Sequence, residues 1–272
     1  MTAPRGPGDP IAGAGAVPRI AGMPFLATSA DAAEHGPTSS LDDGTAPDGT
    51  TTLYLVRHGR TEFNTARLLQ GWTDSPLTED GLAGVRATAR VLAGRTFAAA
   101  YASPAGRTVA TARELLAAHP GVGLTTDPGL REMHFGDLEA RPEAELLALG
   151  DPVELFGGIL TGTYPGLPGA ERTSDYLDRV ADAFGRIERE HAGGGDVLVV
   201  SHGVTLLAYL AMAGTVPVDP LANASVSTVR IGPDGEREVR TFGFDPAAQG
   251  APGLPVPGTE QPVRSPERPD GA

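Results

Sequence analysis

The sequence predicts an α/β fold: a three-layer sandwich whose mostly parallel central sheet is flanked by helices and carries an antiparallel edge strand. Three observations predict it. Short apolar runs of strand length alternate along the chain with longer segments in which apolar residues recur at helical spacing. Two of those runs, at residues 53–56 and 197–200, are apolar without interruption, as strands buried on both faces are. Near the end, two alternating runs flank Pro233-Asp234-Gly235, a hairpin signal that implies the antiparallel edge.

The elements follow in order. Residues 53–56 read as a buried strand that stops on Arg57-His58-Gly59, where Gly59 permits a tight turn and close approach of a ligand to the backbone. A loop containing Leu69-Gln70-Gly71-Trp72 comes next. Thr78 has the chemistry of an N-cap, with Glu79 and Asp80 in the first turn, and its helix runs to about Leu92 and stops near Gly94. Residues 97–102 make a second strand ending on Ser103-Pro104. The helix after it gathers Val109, Ala112, Leu115 and Leu116 on one face, and Pro104 suits a helix start, where one N–H has no partner. A short strand at 122–125 leads to Leu130-Arg131-Glu132-Met133-His134-Phe135-Gly136. Residues 142–149 read as a short helix, and the Gly/Pro-rich piece that runs to Gly169 as a loop or lid. Between Arg172 and His191, Tyr176, Val180, Phe184 and Ile187 form a core-facing stripe. Residues 196–201 are a strand that again ends on His-Gly, and 204–212 are the helix after it. Residues 224–231 and 236–242 form the terminal hairpin.

Composition narrows the function. The 272 residues, 40% hydrophobic, can bury one sizeable core, in one α/β domain or two small ones. Residues 1–50 and 246–272 lack a sustained period and are expected to be disordered extensions of a domain at 51–245. The absence of Cys excludes disulfides and thiolate metal sites. All 21 basic residues are Arg, and the net charge of −13 argues against nucleic-acid or anionic-membrane partners. An anionic substrate must therefore be drawn in by local Arg. The longest apolar stretch, 197–213, is interrupted by Ser201-His202-Gly203 and is too polar at its centre to span a membrane. The apolar piece at 11–27 is broken by Pro18 and Arg19. The expectation is a soluble, cytoplasmic protein. Its oligomeric state is open, a homodimer included.

In a parallel sheet the carboxyl ends of the strands share one edge, and ligands bind there. That edge receives Arg57 and His58 from the first strand, Ser103 and then Arg107 from the second, and His202 from the later one. The loop at 130–136 adds Glu132. Taken singly, each residue has an ordinary reading: Glu132 a solvated acid, Arg107 a helix-face charge, His202 a satisfied core histidine. Their convergence is the specific signal. His134 lies beside Glu132 without a required role, His35, His119 and His191 read as surface residues, and Asn223-Ala224-Ser225 reads as a loop entering a strand.

With those residues placed, the sequence resembles the histidine phosphatase superfamily, the phosphoglycerate-mutase-like enzymes. The resemblance covers roughly residues 52–245. It rests on Leu55-Val56-Arg57-His58-Gly59-x-Thr61-x-x-Asn64, Leu69-Gln70-Gly71, Pro76-Leu77-Thr78 with Gly81, and Ser103-Pro104-x-x-Arg107-Thr108 with Thr111. It continues through Leu130-x-Glu132-x-x-Phe135-Gly136, Ser201-His202-Gly203 and Asn223-Ala224-Ser225, in the family's order. The resemblance implies a phosphohistidine on His58, a phosphoryl pocket of Arg57, Arg107, His202 and Asn64, and Glu132 as general acid and then base. Thr61, Gln70 and Gly71 would bind substrate, and Arg60, standing where the family often has an acid or amide, would add a contact to an anion. Apolar neighbours (Leu130, Met133, Phe135) would tune Glu132 for the acid role. Neither metal nor other cofactor is implied. Two departures concern the substrate: residues 135–140 lack the family's aromatic and final Gly, and Gly169-Ala170-Glu171-Arg172 departs from Gly-Glu-Ser. About seventy residues separate Glu132 from His202, which fits the compact phosphatase branch. The implied activity is that of a histidine acid phosphatase-type hydrolase acting on a small phosphorylated metabolite. A phosphoglycerate mutase is the alternative, and a non-catalytic phosphate-binding module is a third.

Overall fold

Strand ends that arrive level with one another organise this molecule. The computed structural model describes residue 41 and residues 49–248. Nearly all of the two predicted extensions therefore lies outside the described residues, as does His35. Strand β1 (Thr51–Arg57) leads into α1 (Glu62–Ala66) and α2 (Glu79–Leu92). Strand β2 (Phe97–Ala102), α3 (Gly106–Leu116) and β3 (Leu124–Thr126) follow. Helices α4 (Glu143–Leu147), α5 (Pro152–Leu160) and α6 (Thr173–Glu190) fill the middle of the chain. Strand β4 (Gly195–Ser201), α7 (Gly203–Ala213), β5 (Val226–Ile231) and β6 (Arg237–Phe244) complete it.

The sheet runs β3-β2-β4-β1-β5-β6. Strands β3, β2, β4 and β1 are parallel, while β5 and β6 add the antiparallel edge. Alternation along each strand sends side chains to opposite faces. Leu53, Leu55, Val197 and Val199 pack beneath α5, α6 and α7. Tyr54, Val56, Leu198 and Val200 pack against α2 and α3. The three-layer α/β sandwich is thus observed, with both sheet faces covered.

Several local expectations need correction. The stretch after β1 contains α1, closed by a capping box between Thr61 and Asn64. The predicted loop or lid before Gly169 contains α5, which starts with Asp151 as N-cap and Pro152 in the first turn. Gly59 has a packing role. A Cβ there would lie 2.6 Å from Val85 Cγ2 and 3.0 Å from Gly81 O, so its bareness lets the β1–α1 loop press on α2. His119 is buried against Phe97, and His191 is half-buried with its Nε2 bonded to Tyr101 Oη at 2.9 Å. No helix among the described residues is long and apolar enough to cross a membrane.

Candidate active site

Parallel pairing puts Arg57 beside Ser201 and Ala102 beside Val200, so β1, β4 and β2 end at one level. Two backbone bonds carry the register past the strand ends: His58 N–H to Ser201 O at 3.0 Å and Ser103 N–H to Val200 O at 3.0 Å. The result is that His58, His202, Ser103 and Arg107 meet. All four are buried, and the two imidazole rings stand edge to face with centroids 5.3 Å apart.

Hydrogen-bond partners fix the tautomers. A carbonyl only accepts, so His58 Nδ1–H donates to Gly59 O at 2.8 Å and its Nε2 lone pair is left free. A guanidinium only donates, so His202 Nδ1 accepts from Arg107 Nη2 at 3.0 Å. His202 Nε2–H then donates to Ser103 Oγ at 2.8 Å. Burial, followed by the Arg107 and Arg57 charges, holds His58 well below the ordinary imidazole value. Burial and Arg107 do the same to His202. Both rings are therefore neutral at pH 7.

Arg107 follows directly on Ala105-Gly106 at the start of α3. Its Nη1 donates to Asp74 Oδ1 at 2.8 Å and to Thr73 O at 3.1 Å, and its Nη2 also donates to Gly71 O at 2.7 Å. Arg57 Nη1 donates to Leu221 O. The Nε–H groups of both arginines are buried with no acceptor in the protein among the described residues. Burial lowers both guanidinium groups from their ordinary value, but so strong a base remains a cation.

The setting of Glu132 differs from the expected apolar one. Its sequence neighbours Leu130, Met133 and Phe135 join the core, while its carboxylate sits on the N-terminus of α7. Oε1 accepts from Met133 N–H, Thr205 N–H and Thr205 Oγ1, at 2.9–3.0 Å. Among the described residues Oε2 accepts only from Val204 N–H, at 3.0 Å. Two free backbone N–H groups of a helix start thus hold the acid at the edge of the site.

The residues expected around the substrate divide. Thr61 Oγ1 donates to Gln70 Oε1 at 2.8 Å and Gln70 Nε2 donates to Ser75 Oγ at 3.0 Å, so these side chains hold one another. Gly71 offers its carbonyl to Arg107. Asn64 Oδ1 accepts from Asn223 Nδ2, which also donates to His58 O, both at 3.1 Å. Arg60 is exposed, and its charge reaches Arg57. Residues given no role from the sequence also belong here: Ser103 and Thr205 as above, and Arg179, Glu171 and Glu139 behind the loops. Ser201-His202-x-x-Thr205 carried a readable signal for Thr205, a hydroxyl at a helix start. Arg179 and Glu139 carried none.

Residues 53–242 match the model of the histidine phosphatase superfamily, branch 1. The chain belongs to that superfamily. Its relatives include a probable phosphoglycerate mutase GpmB of Serratia proteamaculans, 36% identical over 155 residues, which are 57% of this chain and 70% of the relative. A 2,3-bisphosphoglycerate-dependent phosphoglycerate mutase 2 of Gloeobacter violaceus is 33% identical over 183 residues, 66% of this chain and 80% of that protein. Among solved structures, Bacillus stearothermophilus YhfR superposes with a TM-score of 0.62 at 32% identity, covering 71% of this chain and 97% of YhfR. Superfamily members are phosphatases and mutases, so the protein is an enzyme of that group.

Proposed function

We propose that this superfamily member is a phosphomonoesterase that moves a phosphoryl group from a small phosphorylated metabolite to His58 and then to water. One observation carries the reading: His58 is a neutral imidazole with Nδ1 bonded to Gly59 O, and the two arginines whose charges act on it each keep a buried Nε–H with no protein acceptor among the described residues. An orphaned buried donor costs about 1–3 kcal/mol. A phosphoryl oxygen would remove that cost at each arginine and gain a charge-assisted bond.

In the first step His58 Nε2 forms the N–P bond as the bond from phosphorus to the leaving oxygen breaks. Arg57, Arg107 and His202 surround the transferring oxygens. Glu132 Oε2, with one donor on it, is the oxygen that hands a proton to the leaving alcohol. In the second step it takes a proton from water, the new O–P bond forms and the N–P bond breaks. The guanidinium groups supply the positive charge that a metal would otherwise bring. Rapid quenching with phosphate-labelled substrate should trap an acid-labile phosphohistidine. His58→Ala should lose both the trapped label and turnover, and activity should persist in a chelator. A His58→Ala enzyme near wild-type rate would refute the assignment.

A second reading, phosphoglycerate mutase, is favoured by the names of the sequence relatives at 33–36% identity. Isomerisation of 3-phosphoglycerate to 2-phosphoglycerate faster than release of inorganic phosphate would establish it instead.

A further inference from the structure

Behind the candidate acid, one guanidinium divides its donors between a carboxylate and the backbone of the loop that carries the acid. Arg179, in the middle of α6, donates from Nε and Nη2 to the two carboxylate oxygens of Glu171, at 2.9 and 2.5 Å. Nη1 donates to Gly129 O at 3.1 Å and Arg131 O at 2.7 Å, and Nη2 also donates to Glu132 O at 2.8 Å. All five N–H groups of the fork are used. Glu171 closes the circuit by accepting from His134 N–H at 2.8 Å. Three carbonyls and one amide between residues 129 and 134 are thereby tied to α6. On the outer side, Trp72 Nε1–H donates to the same Glu132 O at 3.0 Å, with Arg131 stacked 4.7 Å over its ring.

We infer that Arg179 is a positioning residue for Glu132, holding its backbone so that the carboxylate reaches both the N-terminus of α7 and the leaving group. The inference rests on the proposed acid role of Glu132 for its kinetic consequence, but not for the geometry. A half-buried ion pair that merely stabilised the fold would need only Glu171. Here the fork goes further and fastens the main chain on both sides of the acid, including the carbonyl of the acid itself. The phosphate side of the pocket has bonds of its own, since Arg107 donates to the loop at residues 70–74 and to His202, and Trp72 links that loop to the Glu132 backbone. Loss of Arg179 therefore affects proton delivery and spares phosphate binding.

The test uses the full chain, Arg179→Lys and two comparison variants. Arg179→Lys keeps the charge, and its fold is retained where Arg179→Ala fails, but an ammonium cannot span three carbonyls and a carboxylate. A control, Arg186→Ala, removes the ion pair that the same helix makes to Asp127. The expected result is a loss of about 10²-fold in kcat for an alkyl phosphate, whose leaving group needs the proton, and under about fivefold for p-nitrophenyl phosphate. Inhibition by orthovanadate should stay within about twofold of wild type. The chain has one tryptophan, so the indole N–H resonance belongs to Trp72. It should shift in Arg179→Lys and stay in place in Arg186→Ala. Equal losses for both substrates, or an unmoved indole resonance, overturn the inference. Glu132→Gln, assayed alongside, separates the two ideas: if it fails to discriminate the leaving groups, the acid role falls, and the Trp72 resonance alone still decides whether Arg179 sets the loop.

Discussion

Two buried neutral histidines should make this protein unusually sensitive to mild acid. His58 and His202 are both held well below the ordinary imidazole value, chiefly by burial and then by the arginines. In the unfolded chain each returns to about 6.5. A depressed histidine lets the unfolded state bind protons that the folded state refuses, so stability falls as pH drops below about 6.5 and goes on falling until the folded value is reached. Each proton of difference is worth about 1.36 kcal/mol per pH unit, and each unfolded histidine holds on average about 0.9 proton between pH 6 and pH 5. With both rings neutral in the fold across that unit the pair costs up to about 2.4 kcal/mol, a large share of a typical total of about 5–15 kcal/mol. Urea unfolding from pH 7 to pH 5, in buffers free of phosphate and sulfate, measures it. His58→Asn removes one titrating ring and should cut the decline to about 1.2 kcal/mol, whatever it does to absolute stability. Carboxylates complicate the raw curve. Burial works to raise Glu139, but the bonds it accepts from Thr73 and Trp72 outweigh that and lower it, so its contribution is lost only further into acid. Asp196 is raised by burial. Both cancel in the difference between variant and wild type. An unchanged decline in His58→Asn would show that the ring titrates in the fold as it does in the unfolded chain, and would refute the claim that burial and the arginines hold it neutral.

Three further outcomes follow from the packing around the site. Glu139 accepts from Trp72 N–H, Thr73 N–H and Thr73 Oγ1 at 2.5–2.8 Å, and so holds the loop whose carbonyls grip Arg107. Glu139→Gln should weaken orthovanadate inhibition by about tenfold, or about 1.4 kcal/mol, read as a shift in Ki. Gly81→Ala would drive a Cβ into the Arg60 carbonyl oxygen and should cost about 1–3 kcal/mol in urea unfolding. Ala140 sits at φ +60° in the position where the family has glycine, so Ala140→Gly should relieve left-handed strain of about 1–2 kcal/mol. After the extra freedom glycine gains when unfolded, a net gain in stability of about 0.5–1 kcal/mol should remain, read as a higher thermal midpoint.

What the sequence made legible depended on how local the cause was. Strand β2 and helix α2 fall where composition put them, because an apolar run and a Thr78 cap are short-range signals. The meeting of His58, Ser103 and His202 was legible for a less local reason: parallel register makes every strand end a neighbour of the next. Helix α5 was missed although Asp151-Pro152 is a good helix start, because Gly157 and Gly158 obscured its period. Helix α1 was missed because its capping box uses Asn64 in place of the usual Glu or Gln. The setting of Glu132 was misread because neighbours along the chain were taken for neighbours in space. Leu130 and Met133 turn into the core, whereas the carboxylate turns toward a helix that starts seventy residues later. Arg179 was beyond reach for the same reason, since the carbonyls it holds lie about fifty residues upstream.

The charge distribution resolves an apparent conflict between an overall charge of −13 and an anion site. Arg57 and Arg107 repel each other within the pocket, and both disfavour a proton on His58. Glu132 supports Arg57, and Asp74 supports Arg107 from the opposite side of its guanidinium. Arg107 is thus ion-paired to Asp74 and Arg57 is offset only by the charge of Glu132, while both keep a bare Nε and both charges act on His58. At an effective interior dielectric their field outweighs distant surface carboxylates, which salt screens over about 10 Å. The burial that keeps the His58 ring neutral is the same burial that makes acid pH destabilising. The proposed nucleophile and the acid limit of the fold therefore share one cause, and a substitution that relieves one must weaken the other.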